Sequence, residues 1–145
     1  MTSMCAARMA IVVVAVTAGM ILADRTDDES ANWKAPTREA AKKNPIPVDE
    51  KSLARGKSVY SHNCFVCHGR AGRGDGPKAF DLEPKPRDLS SPEVAGQADG
   101  ALYWKISEGR RPMPSFRDLL SDEDRWYVVN YIHTFRSNGQ PQNGN

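Results

Sequence analysis

The sequence predicts a small all-α domain, three to four helices and their loops wrapped around something the helices do not themselves supply. Three observations predict it. Segments ending near His62, Glu108 and Phe135 carry apolar residues at helical spacing, and no segment alternates as a strand. The apolar content, 39% of 145 residues with 8% aromatic, is thin for a domain of roughly 90 residues, which gains from an internal staple such as a metal or cofactor.

Taken in order, Arg8 followed by the uncharged run Met9 to Ala23 has the layout of a secretory signal. The basic start and the acidic stretch after the run, with Asp24, Asp27, Asp28 and Glu29, place the amino end inside and the remainder outside. Residues 1–23 are therefore a signal peptide or an uncleaved N-terminal membrane anchor. The run of 15 residues is short against the ~20 that a spanning helix needs, which favours cleavage. Either way the globular part is exported, to the periplasm or to the outer face of the cytoplasmic membrane.

Residues 24–50 are polar, with Pro36, Pro45 and Pro47 and no sustained period, and read as a linker. A tether of about 25 free residues has an r.m.s. reach of about 25–30 Å. Trp33 has no assignable place. The domain proper is expected over 51–138, with a disordered tail at 139–145.

The first helix is expected from Asp49 or Ser52 to His62, with Leu53, Gly56, Val59 and Tyr60 on one face. Glycine within a helix costs about 1 kcal/mol against alanine, so Gly56 signals a close crossing by another helix. Ala101 to Glu108 reads as another helix, ended by Gly109. The last begins at a capping Ser121 with Asp122, Glu123 and Asp124 at its positive pole, carries Val128, Tyr131, Ile132 and Phe135 as a stripe, and is stopped by Asn138 and Gly139. Trp126 is expected on a flank. Gly69 to Pro86 reads as loop.

Charge excludes some functions. From Ala31 onward 18 basic residues face 14 acidic ones, a balance of +4, far from the clustered charge that nucleic-acid binding requires. The three cysteines indicate no disulfide framework. Cys5 precedes the apolar run, where a lipid-attachment cysteine would follow it.

Cys64-Phe65-Val66-Cys67-His68 carries the chemistry. Two thiols at one-turn spacing can add to the two vinyl groups of a haem while the adjacent imidazole reaches its iron. A zinc site would need four ligands, usually with a second cysteine pair, and a thiol redox pair is expected beside a βαβ pattern. Neither requirement is met, and there is no second attachment motif, so one covalent haem c is expected. Its second axial ligand is expected to be Met113, the only methionine beyond the leader, framed by Pro112 and Pro114. His62 lies too near His68 in sequence to reach the opposite face, and His133 lies beside the stripe of the last helix.

From about Ser52 to Phe135 these residues resemble the class I c-type cytochromes, in bacterial, monohaem, His/Met-ligated form. Cys64, Cys67, His68 and Met113 fall on that family's attachment and ligand positions in its order, and Gly56, Tyr60 and Tyr131 on its helix-crossing positions. The resemblance implies the small cytochrome c fold. It also implies that a carbonyl near Pro77, in the stretch Gly72 to Pro77, accepts the histidine ring N–H. Pro84 to Leu89 is similar to a segment of bacterial members, in which Arg87 pairs with a haem propionate or is simply a solvated loop residue. Tyr103 and Trp104 line the haem edge or pack their helix.

With His68 and Met113 both on the iron, no site is left for a small-molecule substrate. The expected function is one-electron transfer between redox proteins, such as quinol-oxidising complexes and terminal oxidases or reductases. The alternatives are a fixed haem subunit of a membrane-bound oxidoreductase complex and a haem enzyme or gas sensor with an open iron site. Arg70, Arg73, Lys78, Arg110, Arg111 and Arg117 are expected to make the rim near the ligand segments locally positive.

Overall fold

The computed structural model describes residues 33–139. The expected signal or anchor at 1–23, the start of the linker and the tail beyond 139 lie outside them. Six α-helices follow one another among the described residues: α1 (Thr37–Ala40), α2 (Glu50–Asn63), α3 (Phe65–His68), α4 (Pro92–Ala95), α5 (Asp99–Glu108) and α6 (Asp122–Gly139). A 3-10 turn lies at Ala79–Asp81. The described residues contain no strand, only an isolated bridge between Arg110 and Met113. None of their helices is long and apolar enough to cross a membrane.

Helix α2 starts where it does because Asp49 and Ser52 form a capping box: the Asp49 carboxylate accepts from the Ser52 amide at 2.7 Å, and the Ser52 hydroxyl accepts from the Asp49 amide at 3.0 Å. At the head of α6 the Ser121 hydroxyl accepts from the Asp124 amide at 3.1 Å. The two helices pack across each other. A Cβ at Gly56 would collide with the Tyr127 carbonyl oxygen and come within 2.9 Å of Tyr131 Cβ, so the residue there must be glycine. Tyr60, Tyr131 and Phe135 close this crossing with ring centroids 5.2–5.4 Å apart. On its outer edge Arg55 forks onto Asp124 at 2.7 and 2.9 Å.

The core is one cluster built on α2, α5 and α6, with Val94 added from α4 and Phe116 from the loop before α6. Four sequence expectations change. Trp126 is not on a flank: it is 7% exposed and stacks on Tyr103 at 3.9 Å, so the buried face of α6 is wider than the stripe counted from Val128. Helix α6 runs on through Asn138 and Gly139 rather than stopping before them. The stretch expected as pure loop, Gly69 to Pro86, holds the 3-10 turn at Ala79–Asp81, and the four-residue α3 stands just before it; each is too short to show a period.

The fourth change concerns the linker. From residue 33 onward it is docked, through single side chains rather than a periodic face. The Asn44 amide donates to the Trp126 carbonyl at 3.2 Å and to Asn130 Oδ1 at 2.8 Å. Ile46 packs on the core, and α1 packs on α5, where a Cβ at Gly100 would meet the carbonyl oxygens of Glu39, Ala40 and Lys42.

Candidate cofactor site

Cys64 closes α2 and opens α3, so both thiols and the imidazole of His68 sit on one short turn. A four-residue helix leaves its last carbonyls without intrahelical partners, and the following loop supplies them. The amides of Gly74, Gly76 and Lys78 donate to the carbonyls of His68, Cys67 and Val66 at 2.9, 3.1 and 2.9 Å. Gly76 passes so close that a Cβ there would lie 2.6 Å from backbone atoms of Phe65, Val66 and Cys67. Tyr60 ties the turn to α2, its buried hydroxyl donating to the Gly69 carbonyl at 2.8 Å. Burial holds that phenol well above its ordinary pKa.

Burial also pushes the Cys64 thiol up to about 12, with the neighbouring Cys67 adding to the shift. Neither cysteine is in a disulfide. At His68 burial lowers the pKa, opposed by the influence of the nearby Arg87 backbone. Its Nδ1 is the one buried side-chain nitrogen or oxygen among the described residues without a hydrogen-bond partner. A buried imidazole on the same short turn as two free thiols fits an iron ligand beside covalent attachment of a haem.

The candidate second ligand stands in the loop after α5. Gly109 ends the helix at φ +65°; the Met113 amide then donates to the Arg110 carbonyl at 2.8 Å. Met113 packs against the core cluster, as do Cys64, Phe65, Leu89 and Tyr103. The loop lines a cleft of about 480 Å³. It is pinned from behind: the Ser115 hydroxyl donates to the Ser107 carbonyl at 2.6 Å, and the Phe116 amide to the Ile106 carbonyl at 3.2 Å. Buried Arg125 donates to the Ser107 hydroxyl at 2.5 Å, pairs with Asp122, and lies over the Tyr103 ring at 4.9 Å. None of this Ser107–Arg125 support is visible as a motif.

The family described as cytochrome c oxidase, cbb3-type, subunit III, matches residues 51–132. The chain belongs to this cytochrome c family. Cytochrome c6 of Cladophora glomerata is 30% identical over 86 residues, 59% of this chain and 91% of that protein. Cytochrome c6 of Synechocystis is 31% identical over 84 residues, 55% of this chain and 62% of the relative. Among solved structures, the Kuenenia stuttgartiensis reducing HAO-like protein complex is similar at 34% identity and TM-score 0.58 over 63% of this chain. The match spans only 46% of that complex's matched chain. This cytochrome is a monohaem class I c-type cytochrome of all-α fold, an electron-transfer protein whose haem is covalently bound.

The other candidates are placed as follows. His62 Nδ1 is 2.7 Å from the Ser58 carbonyl oxygen on the exposed side of α2, and His133 Nε2 is 2.8 Å from Asp99 Oδ1, so both rival histidines are engaged elsewhere. Trp104 is half-buried and Tyr103 is the aromatic of α5 that packs on the core. Arg87 and Pro77 are exposed. Of the expected basic rim, Arg117 pairs with Glu108, Arg70 lies over Phe65 and Arg110 over Trp33, whereas Arg73, Lys78 and Arg111 are exposed.

Proposed function

We propose that this cytochrome carries single electrons outside the cytoplasm between respiratory-type partners, accepting from a quinol-oxidising complex and donating to a terminal oxidase or reductase. In this reading Cys64 and Cys67 hold the haem through thioether bonds, His68 and Met113 are its axial ligands, and Pro77, Arg87 and Trp104 line it. The observation that carries the reading is the buried imidazole of His68 on a turn bearing two free thiols, with Met113, the one methionine among the described residues, packed on the same core.

A haem bound there supplies reversible one-electron chemistry at its iron. The chain contributes the rest. His68 is buried beside the Arg87 backbone, and the apolar side chains of Phe65, Leu89 and Tyr103 exclude water. On such an iron the thioether of Met113 would favour Fe(II) and raise the potential, and His68 and Met113 together would leave no place there for a substrate. Arg87, near enough to Lys105 to weigh on its charge, is the candidate partner for a propionate. Replacing Met113 by His should leave the haem attached through denaturation while the potential falls by on the order of 0.1–0.3 V, within the ≈0.8 V that axial ligands command. An unchanged potential would show that another group holds the iron.

A second reading is a fixed haem subunit of a membrane-bound oxidoreductase. It is favoured by the oxidase-subunit description of the family and by the similarity to a chain of a complex. Fractionation decides: a carrier leaves the membranes in salt, whereas a subunit co-purifies with its complex in detergent.

A further inference from the structure

The docked segment from Trp33 to Pro47 lies outside the region that the family match covers, which begins at residue 51. It runs as a strap. Its far end is fastened to α6 through Asn44, its middle lies as α1 across the head of α5, and its near end is Trp33. The half-buried indole of Trp33 has the Lys105 ammonium 5.4 Å and the Arg110 guanidinium 5.5 Å from its ring centroid. Both distances fall within cation–π range.

The two cations sit where they repel each other. Lys105 donates to a neutral amide, Gln97 Oε1, at 2.6 Å, and its pKa is lowered by burial first and by Arg110 and Arg87 next. Lys105 is in the last turn of α5. Arg110 is the residue whose carbonyl accepts from the Met113 amide. The electron-rich face of one ring therefore answers a charge on the helix and a charge on the methionine loop together.

We propose that Trp33 is a positioning residue for the methionine loop: its indole, lying over Lys105 and Arg110, holds the loop against α5 and makes the strap part of the haem site. This rests on the reading of Met113 as axial ligand. The strap fixes the Arg110–Met113 turn, and the turn fixes where the thioether stands.

The test uses the haem-loaded full chain and three variants, Trp33→Ala, Trp33→Leu and Trp33→Phe. Two quantities are read: hydrogen exchange of the Met113 amide, and the denaturant midpoint for loss of the near-infrared charge-transfer band of methionine-ligated ferric haem, compared with the midpoint for loss of helix. Trp33→Ala and Trp33→Leu should speed exchange of the Met113 amide about fivefold or more and lower the band midpoint while the helix midpoint stays. Trp33→Phe, which keeps an aromatic face, should restore most of both. Wild-type exchange in Trp33→Leu, or band and helix midpoints that move together, would overturn the proposal. A wild-type protein with no near-infrared band would sink the ligand reading instead. The exchange measurement, which does not depend on the iron, still decides whether Trp33 holds the loop.

Discussion

On the cysteine side of the site α3 is clasped by backbone groups no more than twelve residues away in sequence, while the methionine side is held by side chains that come from the strap, from α5 and from α6. The difference lies in what each side can tolerate. Backbone hydrogen bonds persist through most substitutions but forbid any added volume where the chains touch. A side-chain lattice accepts volume, and loses its hold one residue at a time.

Four substitutions sharpen that contrast. Gly76→Val should have the largest effect, because its first new carbon meets three stretches of α3 backbone that cannot move aside. A loss of about 3 kcal/mol, the upper part of the over-packing range, should appear in chemical denaturation of the holoprotein. Near-wild-type stability would mean that the clasp is looser than described.

Tyr60→Phe comes next. It strips the donor from the Gly69 carbonyl in a buried place, which costs about 1–3 kcal/mol. The loss should show in thermal melts, with the near-infrared band retained at low temperature; a band lost with the hydroxyl would mean that the two sides are not independent.

On the methionine side, Asn44→Ala removes the bonds to the Trp126 carbonyl and Asn130 and should cost about 1–2 kcal/mol. Exchange should quicken at the amides of residues 37–46 and leave those of Gly74, Gly76 and Lys78 unchanged. Equal quickening in both sets would erase the distinction between the two sides.

Arg55→Ala is the smallest, because the guanidinium is exposed and its attraction to Asp124 is screened by solvent. Its sign with pH is fixed. The hydrogen bond from Arg55, followed by its charge, holds the Asp124 carboxyl below its ordinary value. The stabilisation is therefore present above the unfolded-state pKa near 4 and lost as pH falls through the lower folded value. Melting temperatures of wild type and variant should differ at neutral pH and converge in acid; a gap that widens in acid would reverse the assignment.

How much of this can be read from the residues follows the same division. The attachment turn compresses its chemistry into five consecutive residues, so Cys64, Cys67 and His68 are plain in the sequence itself. Gly56 is legible because a glycine inside a helix needs a reason, and the Tyr127 carbonyl is that reason. The strap is not legible, since Trp33, Asn44 and Ile46 dock one by one and leave no period. Trp126 is misplaced by periodicity because its partner Tyr103 belongs to another helix, and no spacing within α6 reports that stack. The Arg87 backbone contact with His68 has no side-chain signature at all.

The strap also sets an order of events in time. Asn44 meets the Trp126 carbonyl across 82 residues, whereas Tyr60 meets the Gly69 carbonyl across nine. Closing the longer loop costs about 2 kcal/mol more in chain entropy, by the logarithm of the ratio of lengths. The cysteine turn therefore forms early, as a local event, and the strap closes late, once α5 and α6 already stand together. In reverse the strap is expected to leave first, which would show as faster exchange at the amides of residues 37–46 and of Met113 than at those of Gly74, Gly76 and Lys78.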